Sequence, residues 1–164
     1  MRFFLGVLSL LYGVGAVAAP TPEQQVVTHL VEQVAMPAYG HWQRANQDFY
    51  TASEQFCAGK TDLAAVRSQW LAAQHAWVAL QPVLVSPSPA DHPGLQVQFW
   101  PDKRNLPARQ VEELLKKNEP VTAESLAAGS VAVRGLTASE YILFDNGHDM
   151  ADVKQRARYC PLLQ

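Results

Sequence analysis

The carboxylate of Glu140 stands out for where the helical period puts it. At about 100° per residue, Val133, Leu136, Leu143 and Phe144 fall on one face, and Glu140 projects from the middle of that face. An ionised carboxylate buried without a partner is costly enough to force protonation or to demand a counter-charge. The sequence therefore predicts that Glu140 meets an arginine, a lysine, a hydroxyl network or a metal ion. One reading is a structural pair with Arg104 or Lys103, and the other is a functional site.

Two cysteines, Cys57 and Cys160, are the next candidates for chemistry. An even pair without C-x-x-C spacing reads as a disulfide in an oxidising compartment rather than as a redox or metal thiol pair. The five histidines, His29, His41, His75, His92 and His148, are scattered, with no two at a ligand spacing. His75, between Trp70 and Trp77, and His41, beside Trp42, are placed to approach a helical interior, yet all five read as ordinary polar residues. There is no C-x-x-C-H for covalent haem, no G-x-S-x-G elbow, no phosphate loop and no H-E-x-x-H.

The elements that position these residues begin after an export signal. Arg2, an apolar run from Phe3 to about Val14 and then Ala16-Val17-Ala18 predict a signal peptide over residues 1–18, cleaved after Ala18. An uncleaved anchor would need about 20 apolar residues, and Gly6, Ser9, Gly13 and Gly15 interrupt this shorter run. The 164-residue chain carries a formal charge of -2, which becomes -3 without Arg2, and no basic cluster follows. These features exclude a nucleic-acid partner and predict one periplasmic or secreted domain over 19–164, with no stable membrane insertion once the peptide is removed.

That domain reads as all-α, an antiparallel helical bundle with a long ordered loop between its second and third helices. Thr21, Pro22 and Gln24 form a capping box that starts the first helix. Its stripe of Ala35, Ala38, Trp42, Ala45, Phe49, Ala52 and Phe56 runs in steps of three and four, with Pro37 expected to kink it. Gly59-Lys60 ends this helix, Thr61-Asp62 opens the next, and Leu63, Val66, Trp70, Ala73, Trp77 and Leu80 form the matching stripe. The aromatic residues in both stripes read as core. From Pro82 to Pro107 no helical period appears, and this stretch is expected to be an ordered loop. A short helix near 108–117, a Thr122-capped helix running through Gly129 to about Phe144 and a last helix from about Asp149 complete the expectation.

The segment Gly135-Leu136-Thr137-Ala138-Ser139-Glu140-Tyr141 resembles the region of the G-x-H-x-x-E motif of imelysin-like proteins. Phe99-Trp100-Pro101-Asp102-Lys103-Arg104 and Arg158-Tyr159-Cys160 resemble the predicted-lipoprotein branch of that family. The resemblance implies an exported protein linked to iron uptake, with a binding site at Gly135, Thr137, Glu140, Trp100, Asp102 and Arg104. It further implies Glu140 as ligand to iron or another divalent cation. Thr137 stands where the motif has histidine, so the resemblance implies a binding or accessory role. The alternatives are an imelysin-type metallopeptidase using Glu140 and a structural bundle for protein contact. Family members carry two related bundles, so this chain reads as an N-terminal half whose partner is a second helical bundle or a separate chain.

Overall fold

The structure, a computed structural model, describes residues 19–84, 93–117 and 119–163. The expected signal peptide over residues 1–18 and, within the expected loop, residues 85–92 with His92 lie outside them. Helix α1 (Pro22–Leu30) opens on the expected box, Thr21 accepting from the Gln24 amide at 3.3 Å while the Gln24 side chain accepts from the Thr21 amide at 2.9 Å. It continues through a π-helical turn, Val31–Ala35, into α2 (Met36–Cys57). Pro37 lacks an N–H and its ring crowds the preceding turn, and the wider turn just ahead of it is where the chain absorbs this.

Gly59, at φ +71°, turns the chain, and Asp62 caps α3 (Leu63–Leu80) by accepting from the Ala65 amide at 2.8 Å. The α2–α3 hairpin packs along the two expected stripes. Ala45, Phe49 and Phe56 face Val66, Trp70, Ala73, Trp77 and Leu80, all buried. Trp42 and Trp77 meet with ring centroids 5.4 Å apart. Burying each large apolar side chain contributes about 1.5–3 kcal/mol, so the hairpin forms the floor on which the rest is laid. His41 and His75 sit on its exposed side and do not approach the interior.

Two expectations for the second half need correction. The stretch expected to be loop contains a helix, α4 (Pro93–Val97). The long helix expected over 122–144 is broken into α6 (Ala123–Ala128), a 3-10 turn at Val131–Val133 and α7 (Gly135–Phe144). Gly129 ends α6, and the Arg134 guanidinium donates to the carbonyls of Leu126 and Ala127 at 3.2 and 3.0 Å, satisfying acceptors that a continuing helix would have used. Gly135 then takes φ +68°, which permits the sharp restart. Between these elements lies α5 (Leu106–Lys116), and the chain ends in α8 (Val153–Tyr159), capped by Asp152, and a 3-10 turn, Cys160–Leu162.

Helix α7 is the hub. Leu136, Ala138, Ile142 and Leu143 are buried in the same cluster as Trp70, Val111 and Met150. The Trp70 indole donates to the Leu136 carbonyl at 3.1 Å, and Arg67 donates to the Leu143 carbonyl at 2.7 Å, so α3 holds both ends of α7. Cys57 and Cys160 form the expected disulfide, with Cα atoms 5.7 Å apart, tying the end of α2 to the C-terminal turn across 103 residues.

Candidate functional site

Four of the six residues predicted for the site line one cleft of about 350 Å³: Trp100, Asp102, Thr137 and Glu140. Tyr141, Phe144 and Asp145 of the α7 end complete the wall nearest Glu140. The other two predicted residues lie elsewhere. Arg104 is exposed and contributes its backbone amide, which donates to Asp102 Oδ1 at 3.1 Å. Gly135 lines a different cavity with Gln96, Val97 and Ser139. A Cβ on Gly135 would collide with the Val97 carbonyl oxygen and stand 2.8 Å from that of Gln96, so glycine is what lets α4 close down on the start of α7.

Glu140 is not buried in an apolar face. The buried side of α7 runs through Leu136, Ser139, Ile142 and Leu143, while Phe144, counted with the apolar face in the sequence, is only partly buried and lines the cleft, so Glu140 falls at the edge of that face and not in its middle. Within α7 the residue points outward and is exposed, while its neighbours from Leu136 to Ser139 are buried. The expected pair with Arg104 or Lys103 does not form: among the described residues, both salt bridges fall on Glu112. Flanking protein still desolvates the Glu140 carboxyl enough to raise its pKa above the ordinary glutamate value. The cleft thus presents an unpaired acid beside the Trp100 side chain, which is 73% exposed.

Thr137 and Asp102 hold the cleft's rim. The Phe99 amide donates to Thr137 Oγ1 at 2.9 Å, pinning the loop after α4 to α7. The Leu106 amide donates to Asp102 Oδ1 at 3.1 Å, so this carboxylate starts α5. Both are positioning residues in this arrangement, and Asp145 Oδ1 accepts from the Gly147 amide at 2.8 Å, which leaves Glu140 as the cleft acid with no such engagement among the described residues. Among the described residues, no three or more of histidine, cysteine, aspartate and glutamate are grouped to hold a metal ion.

A second polar cluster escapes sequence reasoning. Glu112 Oε1 accepts from the Tyr141 hydroxyl at 3.2 Å and from the Tyr159 hydroxyl, and Oε2 accepts from Arg158 at 2.7 Å. His148, its side chain only 6% exposed, places Nε2 3.9 Å from Oε1. Its ring lies between those of Tyr141 and Tyr159, with centroid separations of 4.6 and 4.4 Å. Burial, then the adjacent carboxylate, pushes the Tyr141 phenol up to about 12 and the Tyr159 phenol up as well. The signals were present but dispersed: Arg158-Tyr159 beside a cysteine, and a histidine four residues after the end of α7.

The comparison with curated proteins finds no match. A crystal structure of an imelysin-like protein from Psychrobacter arcticum 273-4 superposes with a TM-score of 0.71 at 27% identity, over 85% of this chain and 44% of that one. The chain therefore spans less than half the length of that relative. The family model for imelysin, a peptidase family by its designation (M75), matches residues 35–164. That match runs from the π-turn through the hairpin, the Glu140 cleft and the C-terminal disulfide, and on it the chain belongs to the imelysin family.

Proposed function

We propose that this chain is an exported, periplasmic member of the family that binds without catalysing, as an accessory component of iron uptake. The observation that carries this reading is the cleft itself, an unpaired and partly desolvated carboxylate, Glu140, beside the exposed ring of Trp100. A carboxylate next to an aromatic face attracts cations. With no group of three or more protein ligands around it among the described residues, the iron or other divalent cation that Glu140 meets keeps most of its coordination from water or a carrier ligand. Thr137, in the histidine position of the family motif, is engaged with the Phe99 amide, which fits a binding role rather than peptide hydrolysis. Export through a signal peptide over 1–18 agrees with the Cys57–Cys160 bridge, since such bonds persist outside the cytoplasm.

Calorimetric titration of the purified protein with ferrous iron tests the reading. Binding that weakens about tenfold or more in Glu140→Gln, together with slower iron-limited growth of a strain carrying that variant, supports it. Equal affinity in both proteins sinks it.

One observation favours a second reading, a bundle for protein contact. Helix α1 and the π-turn bury nothing, and Val26, Val27, Leu30, Val31 and Val34 are exposed in a row. A second helical bundle laid against this stripe would cover it. Substituting Val27 and Leu30 by serine would then abolish association with that bundle in sedimentation velocity, and unchanged association would reject this surface.

A further inference from the structure

The Glu112 cluster gathers side chains from α5, α7, the turn before α8 and α8 itself at one carboxylate oxygen. His148 Nδ1 lies 3.3 Å from the Ile142 carbonyl. A neutral ring that satisfies this carbonyl carries its proton on Nδ1 and aims the Nε2 lone pair at Glu112 Oε1. Two acceptors then face each other 3.9 Å apart, the imidazole almost fully buried, an arrangement that a positive charge between them would satisfy. Fixing an imidazole through a backbone carbonyl is how proteins orient a metal-binding histidine.

We propose that Glu112, Tyr141, Tyr159 and His148 form a ferric-iron site, supplying three oxygens and one nitrogen. Metal–ligand bonds of about 2 Å place neighbouring ligands about 3–4 Å apart, and the 3.2 Å from Tyr141 and 3.9 Å from His148 to Oε1 already lie in that range. Only the Tyr159 hydroxyl has to draw back. The two phenol protons leave to solvent as the ion enters, no electron moves and the iron stays ferric. Two phenolates and a carboxylate balance a trivalent charge, while Arg158 on Oε2 keeps Glu112 oriented. Asp145 lies close enough to Tyr141 to add negative field. The site shares Tyr141 with the cleft wall but takes no ligand from Glu140 or Trp100, so its test is distinct from that of the cleft.

Ferric nitrilotriacetate titrated into the purified protein at neutral pH should produce a visible phenolate-to-iron charge-transfer absorption. Tyr141→Phe and Tyr159→Phe should each diminish that band and weaken binding by about tenfold or more, and His148→Gln should weaken binding while keeping the band. Glu54→Gln, on α2 and outside both sites, should change neither. The proposal is overturned if no band appears, or if the band survives in the double phenylalanine variant. Should the phenylalanine variants fail to fold by circular dichroism, unchanged ferric affinity in both His148→Gln and Glu112→Gln overturns it equally. Nitrogen-15 NMR of His148 showing an imidazolium in the protein treated with excess iron would assign the gap to a proton and end the proposal.

Discussion

Glu140 and Glu112 are both glutamates on helices that border the same end of the molecule, and their situations are opposite. Glu140 lies on the hub helix among residues that are nearly all buried, yet it faces out and has no salt-bridge partner among the described residues. Glu112 sits on a short helix with nothing unusual in its immediate sequence, yet two phenols, an arginine and a histidine converge on it. A carboxylate's neighbours in sequence set the helix face it occupies. Its partners come from elsewhere in the chain, and they decide whether it is a fastener or an open acid. Tyr141, next to Glu140 and bonded to Glu112, is the hinge between the two.

The strongest way to separate these regions is to cut the disulfide. Cys160 adjoins Tyr159, so Cys57→Ser with Cys160→Ser should cost about 2–5 kcal/mol in urea unfolding, about 4.7 being the chain-entropy figure for a loop near this length. The loss of order should show first at the Glu112 cluster, with hydrogen exchange at 153–160 rising before exchange at 99–102; the reverse order would contradict the coupling assigned here. Gly135→Ala comes next. A side chain at positive φ that also meets the Gln96 and Val97 carbonyls should destabilise by about 2–4 kcal/mol, measured by thermal melting.

Glu112→Gln keeps the shape of the cluster and removes its charge, and should lower stability by about 1.5–3 kcal/mol, a charged hydrogen-bond acceptor being the stronger kind. Thr137→Val leaves the Phe99 amide without an acceptor and should cost about 1–2 kcal/mol, with faster exchange of that amide as its signature.

The smallest effect belongs to Glu140→Gln. The raised carboxyl pKa means the folded protein holds this proton more tightly than the unfolded chain does. Its contribution is therefore most favourable below the unfolded value of 4.5 and declines as pH rises past the folded one. The glutamine variant should match the parent in acid and equal or slightly exceed it at neutral pH, within about 0.5 kcal/mol for a surface site. A neutral-pH loss above that range would show that Glu140 is a fastener after all.

Much of the hairpin was legible in the chain. Steps of three and four, a capping box at Thr21, Gly59 and Asp62 are local signals, and each acts within a turn or two of where it stands. The same kind of reading failed at Val133 to Gly135. There the helix pattern continues in sequence, but Arg134 caps the preceding helix and Gly135 accepts a backbone contact from α4, both made possible by tertiary neighbours. The cleft was half legible: Trp100, Asp102, Thr137 and Glu140 do come together, while Arg104 and Gly135 serve the backbone around it.

By itself the sequence determined the helical class, the hairpin with its apolar stripes and the pairing of Cys57 with Cys160, because these follow from period, capping and count. Only the tertiary structure decided which acid is free and which is held. Glu112 depends on Tyr141, His148, Arg158 and Tyr159, and Tyr141, the nearest of them in sequence, lies 29 residues away. No local pattern encodes a meeting of that range, which exists only once the helices have packed.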